Sequence, residues 1–386
     1  MSPNRLVGMA SDILHNAIIG TKDPILVTGA GGFIGPSVVQ KLLEYGFQNI
    51  RCLARSAGSF AKLEAVSSSH SSAVELIKGN LLSPDDCLRA AKGVMVIYHL
   101  AAGTEKSFAG AFMNSVLTTR NLVETFLKNG QPKRFVNVSS FAVYSNLKLQ
   151  RGALLDENCP LEDSPQERFD PYGYAKLKQD ELIIEYGRQR HLPYVIVRPG
   201  AVFGPGKPKV TGRVAIDTFG FLIHLGGSNR LPLTYVDNCA DAIALAGFKP
   251  GVDGEVFNIV DDDLPTSRTF LRLYKKNVRK FASLYVPHVA SYLFCRIWEK
   301  YSAWSHGQLP PAFNRHRWHI EIKRTLYSNE KLKRRLGWKP KVPMHQGLSQ
   351  FFQGCREQGR HAEGHNRRMR EDRRCPRISN STYRRL

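Results

Sequence analysis

The segment Ile25–Gly35, Ile-Leu-Val-Thr-Gly-Ala-Gly-Gly-Phe-Ile-Gly, restricts what this chain can fold into more than any other. A short run of strand character breaks into Gly29, Gly32 and Gly35, and an apolar pattern of helical period follows from Pro36 to Tyr45. Strand, glycine-rich turn and helix in immediate succession are the context of a dinucleotide-binding turn. Gly29 permits the tight turn, Gly32 lets backbone approach a pyrophosphate, and Gly35 lets the helix lie close on its strand. Unpaired N–H groups of the helix N-terminus then meet the phosphates. Pro36 suits that first turn, where its missing N–H would have had no intrahelical partner.

The 386 residues suffice for one well-packed domain with an appended lobe, or for two domains. No apolar run reaches the roughly 18 residues of a membrane-spanning helix, and Met1–Lys22 lacks a secretory signal pattern. A cytoplasmic location is expected. The seven cysteines include no CxxC pair, so they read as reduced thiols without metal-ligand spacing. The net charge of +22 is concentrated beyond Thr266, in stretches such as Arg315–Arg317, Lys331–Arg335 and Arg367–Arg374. Such a basic end could meet nucleic acid, anionic lipid or a phosphorylated substrate. With no nucleic-acid fold signature, a solvated basic surface is the plainer expectation, and specific nucleic-acid binding is not expected.

Past the first helix, Asn49–Arg55, Val74–Lys78, Val94–Leu100, Arg134–Val138 and Tyr194–Val197 read as strands. Helices are predicted around Ser59–Ser67, from Ser83 as N-cap, from Phe112 to Lys128 and from Asp170 to Arg190. This alternation predicts an α/β fold, a doubly wound parallel sheet with helices on both faces. From about Val202 the alternation loosens and Gly204-Pro-Gly-Lys-Pro208 opens a smaller lobe, with further strands at Leu233–Val236 and Val256–Val260. Ser267–Lys280 reads as a basic amphipathic helix. The aromatic stretch Tyr285–Tyr301 could dock on the core, line a lipophilic pocket or touch a membrane, docking being the first expectation. The expected divisions are an extension 1–23, a nucleotide-binding domain 24–201, a substrate-binding lobe 202–353 and a basic tail 354–386. Disorder is expected from Arg356 onward.

Asp170-Pro-Tyr-Gly-Tyr-Ala-Lys176 is the second decisive feature. With Asp170 as N-cap, Tyr172 and Lys176 stand at i and i+4 on one helix face. A nearby ammonium favours phenolate and would draw a tyrosine from about 10 toward working pH. Such a tyrosine can exchange a proton with a carbinol oxygen while hydride moves at a nicotinamide. Upstream, Phe135-Val-Asn-Val-Ser139-Ser140 ends a strand in hydroxyls, at the sheet edge where ligands of open α/β folds bind. Ser140 could bond the same oxygen that Tyr172 protonates.

These elements, in this order, resemble the extended short-chain dehydrogenase/reductase superfamily, the NAD-dependent epimerase/dehydratase group. Further matches are His99-Leu-Ala-Ala102, Val143-Tyr144, Arg198-Pro-Gly-Ala-Val-Phe-Gly-Pro205, Tyr235-Val-Asp-Asn238 and Leu336-Gly-Trp-Lys-Pro340, spanning Pro24 to Phe352. The resemblance implies a Rossmann-type fold. It also implies Tyr172 as general acid/base, Lys176 as its tuner and ribose ligand, and Ser140 rather than Ser139 as the substrate-polarising hydroxyl. Gly29, Gly32, Phe33, Ile34 and Gly35 would cradle the cofactor, Asn80 and Leu81 would meet the adenine, and Ala101, Ala102 and Pro199 would lie along it. Asn80 stands where the family commonly has Asp, and Ser115-Val-Leu-Thr-Thr119 departs from the family's Asn-Val-x-Gly-Thr.

An acid ending the second strand would bond the ribose 2′-hydroxyl, whereas an arginine accommodates a 2′-phosphate. Cys52-Leu-Ala-Arg55-Ser56 offers no acid and one arginine, so NADP is favoured over NAD. Dehydratases of the group place an acid just after the hydroxyl position, where Phe141 and Ala142 stand here, which argues against dehydration. Arg198-Pro-Gly resembles the hydroxysteroid-dehydrogenase and ketone-reductase branches. The expected reaction is therefore alcohol/ketone oxidoreduction on a small molecule, lipophilic or a nucleotide sugar. A nucleotide-sugar epimerase with tightly held NAD and a non-catalytic NAD(P)-binding sensor are the alternatives. A peripheral membrane contact and a homodimer stay open.

Overall fold

In the computed structural model, residues 16–68, 72–103, 105–207, 213–218, 221–225, 227–306, 308–309 and 313–372 are described. A parallel seven-stranded sheet forms the centre. Its strands are β1 (Ile25–Thr28), β2 (Ile50–Ala54), β3 (Val74–Lys78), β4 (Val96–His99), β5 (Arg134–Val138), β6 (Tyr194–Pro199) and β7 (Val256–Ile259). They lie in the order β3-β2-β1-β4-β5-β6-β7, reversing direction of growth between β1 and β4. All neighbours are parallel. Ligands of such sheets bind where the order reverses, outside the carboxyl ends of the strands.

The strands are continuous apolar runs because both faces of the sheet are covered. Ile25 and Val27 of β1 enter one core and Leu26 the other, as the twofold period of a strand requires. Val96 and Tyr98 against Ile97, and Val195 and Val197 against Ile196, divide in the same way. On the first face lie the helices Gly35–Glu44 and Val236–Phe248. On the second lie Pro84–Ala91 and Thr118–Asn129, with Ile183 of the helix Pro171–Arg190. Ser83 caps its helix as expected, accepting from the Asp86 N–H.

The lobe after β6 is tied back to this core. Leu233–Tyr235 pairs in parallel with Ala201–Phe203, and β7 joins the central sheet beside β6. Buried Trp338 donates to the Asn238 carbonyl at 3.1 Å, and the Asn238 side chain accepts from the Lys341 and Val342 N–H groups. Three small pairings escaped the sequence reading: Ala215–Thr218 with Phe221–His224, the latter with Ser283–Tyr285, and Leu154–Leu155 with Leu326–Tyr327.

Two expectations are corrected. The chain does not lose order at Arg356: one helix runs Met344–Asp372, anchored by Leu348, Phe351, Phe352 and Cys355 in the core, while 373–386 lie outside the described residues. The aromatic stretch docks only part of its rings: Tyr292 sets edge-on to Trp318 at 5.1 Å and Trp298 to Phe313 at 5.6 Å, while Leu293, Ile297 and Trp304 stay exposed. The helix His288–Trp304 buries only Ser291, Cys295 and Ser302. Of the expected N-terminal extension, 1–15 lie outside the described residues, and Ile18 donates to the Phe248 carbonyl at 3.0 Å.

Candidate active site

The carboxyl ends of β1, β4, β5 and β6 deliver Gly29, Ala101, Ser140 and Pro199 to one edge of the sheet. The glycine turn is fixed by backbone. Gly29 has a φ of +68°, and a Cβ there would stand 2.7 Å from the Ala101 nitrogen. A Cβ on Gly35 would lie 2.1 Å from the Ala30 carbonyl oxygen, so only glycine lets this helix start so close to its strand. Gly32 donates to the Gly29 carbonyl at 3.0 Å.

Beside this turn is a groove of about 480 Å³. Its walls include Gly29, Gly32, Arg55, Asn80, Leu81, Ala101 and Ala102 among the expected residues. They also include Gly31, Ser56, Ser59, Asn114 and Thr118, which the motif reading had not singled out. Phe33, Ile34, Gly35, Lys176 and Pro199 are not on that wall: Phe33 lies under the Lys207 ammonium, 5.1 Å from its ring centre, and Pro199 is buried at the end of β6. The Asn80 side-chain amide oxygen accepts from the Leu82 N–H and its backbone N–H donates to Asp86, which holds the residue at the groove's rim. Arg55 is exposed, and among the described residues its guanidinium has no hydrogen bond or ion pair. A dinucleotide fits this donor set: a glycine cradle too tight for side chains, a helix N-terminus without acidic residues in its first turn, and a guanidinium, Arg55, on the same wall.

Asp170 caps the helix Pro171–Arg190 by accepting from the Gly173 N–H at 3.0 Å, which sets Tyr172 and Lys176 on the face turned to β5. The Tyr172 phenol lies beside Ser140, which works against the upward push of its burial. Ser140 itself opens a short turn by accepting from the Ala142 N–H at 3.2 Å. Tyr174 turns away and sets its ring edge-on to Phe108 at 5.4 Å. Lys176, 3% exposed, donates to the Val138 carbonyl at 2.7 Å.

The electrostatics differ from the expectation in one respect. Burial pushes Tyr172 above its ordinary value, and the neighbouring Ser140 only partly offsets this. The Lys176 ammonium is spent on Val138 rather than on the phenol, so the phenol keeps its proton. Burial in turn draws Lys176 down to about 8, against a rise from Asp180 one helical turn on.

Beneath the site is an ion pair the motifs did not announce. Asp180 is fully buried, meets Arg198 at 3.1 Å and accepts from Asn137 at 2.9 Å. Arg198 also lies over the Tyr144 ring at 4.9 Å. The spacing Tyr172, Lys176, Asp180 puts all three on one helix face and would have revealed the aspartate. Behind Ala101, His99 is held between Thr28 at 2.8 Å and Thr119 at 2.9 Å, and burial draws it down to about 3, so it stays neutral. The departure at Ser115 falls in a π-turn, Met113–Leu117, where the Ser115 hydroxyl accepts from the Gly103 N–H at 2.9 Å. Such turns recur at functional sites.

The Lys176 value fixes a pH dependence. Between about pH 8 and 10.5 the unfolded chain holds a proton that the native chain has released. Stability therefore rises with pH through that window, and the burial cost is complete below it. Lys176→Met is expected to be more stable than wild type at pH 7, with a gap that closes by about 1–3 kcal/mol toward pH 10. Urea midpoints at the two pH values measure it, and a gap that widens with pH contradicts it.

A parallel sheet in this order, with a glycine turn at the reversal, defines a Rossmann-type fold. Residues 25–259 match the NAD dependent epimerase/dehydratase family, and the chain belongs to it. One relative is the trifunctional UDP-glucose 4,6-dehydratase/UDP-4-keto-6-deoxy-D-glucose 3,5-epimerase/UDP-4-keto-L-rhamnose-reductase of Arabidopsis thaliana. It is 30% identical over 253 residues, covering 62% of this chain and 37% of that protein. The chain thus spans little more than a third of that relative. The decarboxylating sterol-4-alpha-carboxylate 3-dehydrogenase of Mus musculus is 23% identical over 342 residues, 85% of this chain and 89% of the relative. Among solved structures, UDP-glucuronic acid 4-epimerase from Bacillus cereus in complex with NAD shares the fold. Its TM-score is 0.65 at 22% identity, over 86% of this chain and 97% of that one. The protein is an enzyme, and its cofactor class is NAD(P).

Proposed function

We propose that this enzyme interconverts a secondary alcohol and a ketone, with Ser140, Tyr172 and Lys176 as its proton-transfer site. The single observation that carries the reading is the placing of Tyr172 beside Ser140 at the sheet edge, with burial holding the phenol above its ordinary value and so protonated. A protonated phenol is the state that a carbonyl reduction needs: its proton goes to the substrate oxygen as C=O becomes C–OH. The nicotinamide, when bound, supplies or accepts the hydride. Ser140 donates to the same oxygen, and Lys176 holds its charge near the ribose position. No acid follows Ser140: Phe141 and Ala142 form the turn that Ser140 caps, which speaks against dehydration. The lobe 202–353 closes over the substrate, a lipophilic ketone or a nucleotide-linked sugar. The sterol relative and the Arg198-Pro-Gly segment favour the first.

NADP is the preferred cofactor in this reading, because Arg55, without a partner among the described residues, lines the groove and suits a 2′-phosphate. Arg55→Ala is expected to reduce the preference for NADPH over NADH by about 10- to 100-fold, the worth of one charge-assisted hydrogen bond. Dissociation constants from fluorescence titration check this, and an unchanged ratio sinks the clamp. The reaction itself is tested with a panel of cyclic and aliphatic ketones. One alcohol formed per NADPH oxidised is expected. Interconversion of sugar epimers without net consumption of nucleotide would overturn the reading.

A further inference from the structure

The helix His288–Trp304 is built inside out. Its small residues Ser291, Cys295 and Ser302 face the protein, flanked by half-buried Tyr292 and Trp298, while Val289, Leu293, Ile297 and Trp304 share the outward face at helical spacing. Val289 and Trp304 are each 72% exposed and Ile297 66%. Phe294 and Tyr301 widen the stripe, and Tyr301 stacks on Trp304 with ring centres 5.7 Å apart. Scattered exposed apolar side chains need no explanation, but a contiguous stripe does.

Cations rim the stripe. Arg296 and Lys300 lie along one edge of it, exposed, and among the described residues neither pairs with a carboxylate. At the helix N-terminus a cleft of about 290 Å³ brings Arg151, Lys323 and Arg324 beside Val289, Tyr292 and Trp318. An apolar stripe with aromatic rings and a cationic border matches the lipid–water interface, where the rings sit at headgroup level and the cations meet anionic lipid. No helix among the described residues is long and apolar enough to cross a membrane, so the contact is peripheral. A second copy is the poorer occupant: it would set one cationic rim against another on a chain of net charge +22.

We propose that the outward face of His288–Trp304 docks the protein on an anionic lipid surface, with Leu293, Ile297 and Trp304 entering the acyl boundary and Arg151, Arg296, Lys300 and Arg324 meeting headgroup phosphates. The surface also adjoins the catalytic region. Arg315 of the neighbouring helix Arg315–Glu321 bonds Glu299, and His316 of that helix lies 3.4 Å from Glu167, which precedes Asp170. A lipophilic substrate would reach the enzyme from this side.

The test uses the full chain in flotation assays with vesicles of phosphatidylcholine alone or mixed with phosphatidylglycerol. Binding to the mixed vesicles and little to the neutral ones is expected. The variant Leu293→Ser/Ile297→Ser/Trp304→Ser should partition at least about tenfold less, with unchanged circular dichroism and NADPH binding. If that variant fails to fold, Ile297→Glu alone should show the same direction. Absence of flotation on anionic vesicles overturns the proposal. So does equal flotation of the folded variant, which would leave only the general basic charge. A wild-type dimer that the substitutions convert to monomer overturns it too, and assigns the face to a contact between copies.

Discussion

Tyr172→Phe is expected to lower kcat by about 10²–10⁴-fold, the range of a positioned general acid, while nicotinamide nucleotide still binds. The substitution removes one oxygen and leaves the ring. Its neighbours stay held without it: Ser140 accepts from the Ala142 N–H and Lys176 donates to Val138. The cofactor groove lies to one side, and Tyr172 is not part of its wall. Steady-state kinetics separates the two effects, since a lost proton donor lowers kcat and kcat/KM together. A variant with wild-type turnover would remove Tyr172 from the chemistry. It would favour instead an NAD(P)-binding sensor, to which the phenol is indifferent.

The second large effect is on stability. Arg198→Met is expected to cost about 3–5 kcal/mol, because it leaves the fully buried Asp180 carboxylate without its cation. Asn137 would still donate to that carboxylate, and Lys176 would remain one turn away, so the loss stays short of unfolding the enzyme outright. Burial already holds Asp180 above its ordinary value in the presence of Arg198. Removing the arginine raises it further, and the protein should then tolerate acid better relative to its own neutral-pH stability. Chemical denaturation at neutral pH measures the loss, and a change below about 1 kcal/mol would show the pair to be dispensable. The double variant Asp180→Leu/Arg198→Met should recover part of it, since buried pairs replaced together by apolar groups are often neutral.

The parts of this molecule that were legible in the sequence are those where local chemistry and global role coincide. Gly29 and Gly35 could be read because only glycine satisfies the backbone they occupy, and Ser83 and Asp170 because a cap has one geometry. The strands of the central sheet were legible because burial on both faces writes them as unbroken apolar runs. Strands such as Leu154–Leu155 and Ser283–Tyr285 were not, being two or three residues long and held by partners far along the chain. The reversed face of His288–Trp304 was hidden for another reason. Its apolar period is that of any amphipathic helix, and only the structure tells which side meets the protein. Lys176 shows the limit at the site itself: its spacing from Tyr172 is legible, but the Val138 carbonyl that accepts its hydrogen bond comes from a different element.

The account's central claim, a dissociable nucleotide serving net oxidoreduction, is tested most directly by the nucleotide content of the purified protein. Denatured protein is assayed by mass spectrometry, and the intact protein is then titrated with NADPH and NADH. Protein that carries little nucleotide and binds NADPH more tightly is the predicted result. Stoichiometric, tightly retained NAD would contradict it, remove Arg55 from cofactor choice and make this enzyme one that returns the hydride it takes.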